Sequence, residues 1–170
     1  MGGRLYRNPV DSSPAWYNDW LNILGLDMSE RKEHWENVYR SKSPCEVSWY
    51  QQEPTRSLLL ISGISLPRHA PIIDVGGGAS TLVDKLCEDA YTNISVLDVS
   101  GKALNHARKR LADKASQVHW YEEDVTCFTP PHRFALWHDR AVFHFLTSKA
   151  ERKSISMFSG NHWNRAGTLL

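Results

Sequence analysis

The residues of this chain best suited to chemistry are three glycines and four acids. Asp74 stands two residues before the run Gly76-Gly77-Gly78, and Asp98, Asp124 and Asp139 each close or follow a short apolar stretch. Glycines without side chains let a ligand come close to the backbone. The loop leads into a helical stretch, whose first amides favour an anion such as a carboxylate. Asp98 lies 20 residues beyond Gly78, at the distance suited to a ribose hydroxyl. Against the dinucleotide pattern G-x-G-x-x-G, Gly76 and Gly78 match, but Thr81 occupies the third glycine position. A pyrophosphate would meet repulsion from Asp74. An acid-lined crevice suits a cation without phosphates, and S-adenosylmethionine, with an ammonium and a sulfonium, is such a ligand. An NAD-binding oxidoreductase is the weaker alternative.

These residues need a frame that brings them together. Pro71–Val75, Ile94–Asp98, Val118–Asp124 and Phe134–His138 read as short strands. Between them, Ser80–Ala90 reads as a helix with Leu82, Val83 and Leu86 inward, and Ser100 caps a helix with a Leu104, Ala107 and Leu111 stripe. Upstream, a helix starts at Ser29 and carries Trp35, Val38 and Tyr39 on one face. A loop spans 43–50, and a second helix follows Pro54 with Leu58, Leu59 and Ile61 as its apolar positions. Ser148 and Glu151 form a capping box for a further helix. Alternating strands and helices predict an α/β fold: a doubly wound, mostly parallel sheet in three α/β/α layers, Rossmann-like. In such sheets ligands bind outside the carboxyl ends of the strands, where all four acids fall.

Four pieces, in order and spacing, resemble class I S-adenosylmethionine-dependent methyltransferases over roughly residues 30–150: Ile72-Ile73-Asp74-Val75-Gly76-Gly77-Gly78, Val96-Leu97-Asp98-Val99-Ser100, Glu123-Asp124-Val125 and Trp137-His138-Asp139-Arg140. Ser80 departs from the pattern, standing where many members have another glycine. The resemblance implies S-adenosylmethionine as cofactor and S-adenosylhomocysteine as product. It implies that Asp74 and the Gly76, Gly77 and Gly78 backbone hold the methionine portion, that Asp98, followed by Val99, takes the ribose hydroxyls, and that Asp124 and the Val125 amide meet the adenine. It places His138 and Asp139 near the methyl group as candidate catalytic residues. Trp35, Trp49 and Tyr50 are candidates for covering cofactor and substrate, as a cation–π surface or as packing of the N-terminal helices. The acceptor, a small molecule or a protein, is not specified.

Composition narrows the field. The chain has 170 residues, a prior for one domain, with a net charge of +1 that gives no strong nucleic-acid signal. Its three cysteines, Cys45, Cys87 and Cys127, fit neither a disulfide framework nor a zinc knuckle and suit a cytoplasmic, reducing location. The eight histidines show no metal-ligand spacing, so no metal is expected. No apolar run approaches the roughly 18 residues of a membrane span. Residues 1–28 read as a loosely ordered extension, with a short helix around Trp20–Leu24, and residues 29–170 as the methyltransferase domain. Residues 154–161 continue a helix poorly, and Gly167–Leu170 reads as the start of a fifth strand. Measured against the seven strands of the family, the sheet is expected to lack its last strands. That makes a partner chain completing the sheet, or a truncated or non-catalytic cofactor-binding module, the alternative to an active enzyme.

Overall fold

The computed structural model describes residues 26–139, 142–146, 148–153 and 163–169. The expected helix at Trp20–Leu24, Arg140 and the segment 154–161 lie outside the described residues. The elements are α1 (Met28–Ser41), α2 (Thr55–Gly63), β1 (Ile72–Val75), α3 (Leu82–Glu88), β2 (Ile94–Asp98), α4 (Gly101–Leu111), β3 (Val118–Glu122), β4 (Phe134–Asp139) and β5 (Trp163–Leu169). Short 3₁₀ turns lie at Pro44–Glu46, Ala112–Gln117 and Val142–Phe145, and residues 149–153 are helical.

The five strands form one sheet in the order β3-β2-β1-β4-β5, and every pair is parallel. The doubly wound α/β architecture expected from the alternation is therefore present. β5 starts four residues earlier than its expected position. One face packs against helices: Ile72, Ile94, Val96, Val118 and Leu136 meet Ile61 of α2, Leu82, Val83 and Leu86 of α3, and Leu104, Ala107 and Leu111 of α4. On the other face Ile73, Val75, Leu97 and Trp137 pack with Val125, Phe128 and Leu146 from the segments after β3 and β4. The chain thus changes face between β3 and β4, which makes the gap between β1 and β4 the topological switch point. Within β1 and the later part of β4 the side chains alternate, so Ile72 and Asp74 share the helical face with Leu136 and His138, their register partners. The pairing of β4 with β5 shifts register between Phe134 and Leu136, and Phe134 packs with Trp137 on the opposite face.

Several local expectations shift. Asp27, not Ser29, caps α1: its carboxylate accepts from the Ser29 and Glu30 amides at 2.8 and 2.9 Å, and Glu30 accepts from the Asp27 amide at 2.8 Å. This reciprocal pair is a capping box one turn wide. Helix α1 therefore begins inside the expected N-terminal extension. In α2 Ile61 is buried, but Leu59 is 66% exposed, and the buried polar partner on that helix is Ser57. β3 ends at Glu122, leaving Asp124 in the following turn, where its carbonyl accepts from the Cys127 and Phe128 amides. Ser100 caps α4 as its position suggests, accepting from the Ala103 amide at 3.1 Å.

Candidate cofactor and active site

The glycine loop leaves β1 at the switch point. Gly76 has φ +68°, a left-handed conformation that glycine adopts without strain, and its amide donates to the Leu97 carbonyl at 2.7 Å. Gly77 and Gly78 are glycines for another reason. A Cβ on Gly77 would sit 2.5 Å from the Asp74 Oδ2 and 2.9 Å from a Val96 methyl, and one on Gly78 would collide with the Asp98 carboxylate and sit 2.8 Å from Ala103. The loop folds directly over two carboxylates, so alanine at either position has no room.

Asp74 is 2% exposed. Its Oδ1 lies 2.6 Å from the His138 Nδ1, and the His138 Nε2 lies 2.9 Å from the Ser57 Oγ. Among the described residues, the Asp74 Oδ2 is buried without a hydrogen-bond partner. Asp98 ends β2; its Oδ1 accepts from the Ser100 amide at 2.8 Å. Burial, with Asp74 nearby adding negative charge, pushes its carboxyl up to about 7 against the opposing amides of Ser100 and Gly78. Asp139 ends β4, and its Oδ1 accepts from the Val142 amide at 2.8 Å. Burial also raises its carboxyl above the usual range, while the Val142 and Phe143 amides hold it back.

Helix α1 lies across these strand ends. Arg31, 8% exposed, pairs with Asp124 at 3.1 Å and with Glu151 at 2.5 Å. Lys32 pairs with Glu122 at 2.7 Å. Glu36 accepts from the Ser100 hydroxyl and the Lys102 amide, and Lys102 closes the pair at 3.1 Å. Burial opposes the Glu36 charge, but these donors hold its carboxyl below the usual range.

The sequence-derived residues are thus distributed as follows. Asp74, Gly76–Gly78, Asp98 and Val99 converge at the carboxyl ends of β1 and β2, both carboxylates against the loop. Asp124 lies after β3 with both oxygens engaged, Oδ1 by the Thr126 amide and hydroxyl and Oδ2 by Arg31. Val125 beside it is buried in the second core cluster. His138 lies within the sheet layer at 5% exposure with both ring nitrogens engaged, while Asp139, next to it, is only half-buried. Trp35 packs edge-to-face on Trp49 and on Phe145, each at 5.5 Å between centroids, and the Trp49 indole donates to the Tyr39 hydroxyl at 3.1 Å. Trp35 and Trp49 therefore pack on one another beside the strand ends, and Tyr50 is half-buried next to them. Arg31, Glu36 and Ser57 were not evident in the sequence. Their contacts reach 93, 64 and 81 residues along the chain, so no local pattern reveals them. Among the described residues no group of acids, histidines and cysteines is placed to hold a metal ion, and no helix is long and apolar enough to cross a membrane.

Fold and site together define a doubly wound α/β protein whose glycine loop folds over the Asp74 and Asp98 carboxylates at the ends of β1 and β2. Residues 72–159 match the family described as the methyltransferase domain. The match covers more than half of the chain, which belongs to this family, the class I S-adenosylmethionine-dependent methyltransferases. No curated protein matches it in sequence. Solved structures share the fold. The glycopeptide N-methyltransferase MtfA complexed with S-adenosyl-L-methionine superposes with a TM-score of 0.58 at 18% identity, covering 69% of this chain and 53% of that one. A Clostridium acetobutylicum S-adenosylmethionine-dependent methyltransferase gives 0.61 at 15%, covering 81% and 55%. The DhpI-SAM-HEP complex gives 0.61 at 10%, covering 82% and 62%. The chain spans roughly half to three-fifths of the length of these structures.

Proposed function

We propose that this chain binds S-adenosylmethionine at the β1–β2 strand ends and serves methyl transfer to a small-molecule or peptide acceptor, with S-adenosylhomocysteine as product. The observation that carries the reading is the pair of carboxylates, Asp74 and Asp98, folded under a glycine loop with no room for side chains and with one buried oxygen, Asp74 Oδ2, left for a donor. A buried carboxylate oxygen without a partner is costly, and a cationic ligand group supplies what it lacks. Glycopeptide N-methyltransferase MtfA, which shares this fold, is complexed with S-adenosyl-L-methionine, with sinefungin and with S-adenosyl-L-homocysteine.

In this reading the glycine loop and Asp74 hold the methionine portion, Asp98 accepts from the ribose hydroxyls, and Asp124 with the Val125 amide borders the adenine. When bound, the cofactor supplies an activated methyl group for in-line displacement at carbon. The chain's own task is to orient the reacting groups and exclude water. Helix α1, clamped over the strand ends by Arg31 and Glu36, performs the exclusion, together with the ring cluster that its Trp35 forms with Trp49 and Phe145. Asp139, half-buried with its carboxyl raised, is the proton acceptor for an acceptor hydroxyl or amine. His138, engaged at both ring nitrogens, would have to surrender a hydrogen bond to take that part.

Calorimetric titration with S-adenosylhomocysteine tests the reading. One-to-one binding that is lost in Asp98→Ala supports it. A chain that binds NAD more tightly than S-adenosylhomocysteine sinks it. Transfer of a labelled methyl group to members of an acceptor panel then tests turnover.

A further inference from the structure

Ser57, His138 and Asp74 form a buried chain of hydrogen bonds from α2, through β4, to the end of β1. All three side chains are nearly inaccessible, at 5, 5 and 2% exposure. The two links measure 2.9 and 2.6 Å. Burying a serine, a histidine and an aspartate together is expensive unless each is paired. Core packing alone would be met more cheaply by apolar residues at these positions, as at Ile61 and Leu136 nearby. The line ends on the atom left over: Asp74 Oδ2, buried, without a partner among the described residues, and pointed at the underside of Gly77.

We infer that His138, held by Ser57, is a positioning residue for the cofactor: it captures one oxygen of Asp74 so that the other is presented to the ammonium of the methionine portion. This rests on the S-adenosylmethionine reading above and deepens it. An ionised carboxylate only accepts hydrogen bonds, so the Nδ1 donates to Asp74 Oδ1. The second ring nitrogen is fixed by the Ser57 hydroxyl, which fixes the plane of the imidazole and, through it, the rotation of the carboxylate. With Oδ1 so engaged, the carboxylate cannot swing both oxygens toward the ring, and Oδ2 stays beneath the loop. Ser57 belongs to an element outside the β1–β4 sheet. The packing of α2 is thereby coupled to the cofactor loop, alongside the Thr81 hydroxyl, which donates to the Gln51 carbonyl at 2.9 Å.

The test compares two probes that differ at the end in question. S-adenosylhomocysteine carries the amino-acid portion; methylthioadenosine has the same adenosine and no ammonium or carboxylate. Binding of both is measured by calorimetry to the full chain and to His138→Leu, His138→Asn and Ser57→Ala. We expect His138→Leu to weaken S-adenosylhomocysteine by about tenfold or more, the scale of one lost charge-assisted bond, with methylthioadenosine unchanged. His138→Asn, which keeps a donor near the Nδ1 position, recovers part of the loss, and Ser57→Ala gives a smaller loss of the same selectivity. Parallel weakening of both probes, or no change in either, overturns the proposal and leaves His138 a core residue. Should His138→Leu fail to fold, Ser57→Ala carries the same comparison. If the unaltered chain binds neither probe, the cofactor reading itself falls and this inference with it. If it binds both equally, the reading of Asp74 alone falls, and the positioning role goes with it.

Discussion

Asp98 shows how one side chain joins function to a stability cost. Its carboxyl rises to about 7 because burial beneath Gly78 and the nearby Asp74 disfavour its charge. The folded chain then binds a proton that the unfolded chain, with the ordinary value of 3.8, has released. Folding stability contributed by this group is therefore present at low pH and lost as pH rises from about 4 to about 7. Thermal denaturation across that window should show the decline, and Asp98→Asn should flatten it. At pH 8 the same substitution should leave the unliganded chain more stable and S-adenosylhomocysteine binding weaker. A variant that is destabilised at pH 8 would contradict this account of the burial. Binding follows the opposite slope. In the proposed role the ionised carboxylate accepts two ribose hydroxyls, so affinity for S-adenosylhomocysteine should rise as pH passes upward through about 7. Losing both bonds in Asp98→Ala should cost about 1.5–3 kcal/mol each. The two neighbouring glycines are under the same constraint, since Gly77→Ala and Gly78→Ala drive a methyl into a carboxylate. Either should abolish binding in a titration while apolar core positions remain packed.

At the scale of elements, α1 is fastened by ion pairs of unequal depth. Arg31 is buried between Asp124 and Glu151, whereas Lys32 and Glu122 are about half exposed. Removing one partner of a buried set leaves uncompensated charge, so Arg31→Ala should destabilise the chain by about 3 kcal/mol. Lys32→Ala should cost under about 1 kcal/mol. Urea denaturation of the two variants separates the cases; equal effects would show that Arg31 is no clamp. Helix α3 offers a contrast. Its Leu82, Val83 and Leu86 are fully inside, and Leu86→Ala should cost about 2–5 kcal/mol through the cavity left behind. That loss should leave the site chemistry unchanged and appear only in the denaturation midpoint. The same contrast explains what was legible. The α3 and α4 stripes have helical spacing and are visible in the sequence. In α2 the expected Leu58 and Ile61 do face the core, but Leu59 points outward and Ser57 inward, because Ser57 meets a histidine 81 residues away.

For the molecule as a whole, the parallel sheet and its change of face between β3 and β4 gather loops from distant parts of the chain at one set of strand ends. In the proposed binding mode a ligand meets β1, β2 and the turn after β3 at once, and so would stabilise the folded state as a unit. At a hundred times its dissociation constant, S-adenosylhomocysteine should add about 2.7 kcal/mol. A thermal-shift series should then show a concentration-dependent rise with S-adenosylhomocysteine, and NAD should produce none. The chain spans only part of the structures whose fold it shares. In the proposed function the acceptor approaches beside Asp139, near Phe143, which is 47% exposed.

The strand–helix alternation, the β2 limits, the Ser100 cap and the acid–glycine–acid order of the candidate site are all legible in the residues alone. These are local: each is written in side-chain period, in capping chemistry, or in residues a few positions apart. Which of those acids are paired depends on the fold. Register brings His138 beside Asp74, α2 brings Ser57 to His138, and α1 brings Arg31 to Asp124 and Glu36 to Ser100. A histidine read from sequence as a catalytic candidate is thereby engaged beneath the glycine loop, because pairing across the sheet depends on strand order and packing, which no short stretch of residues encodes.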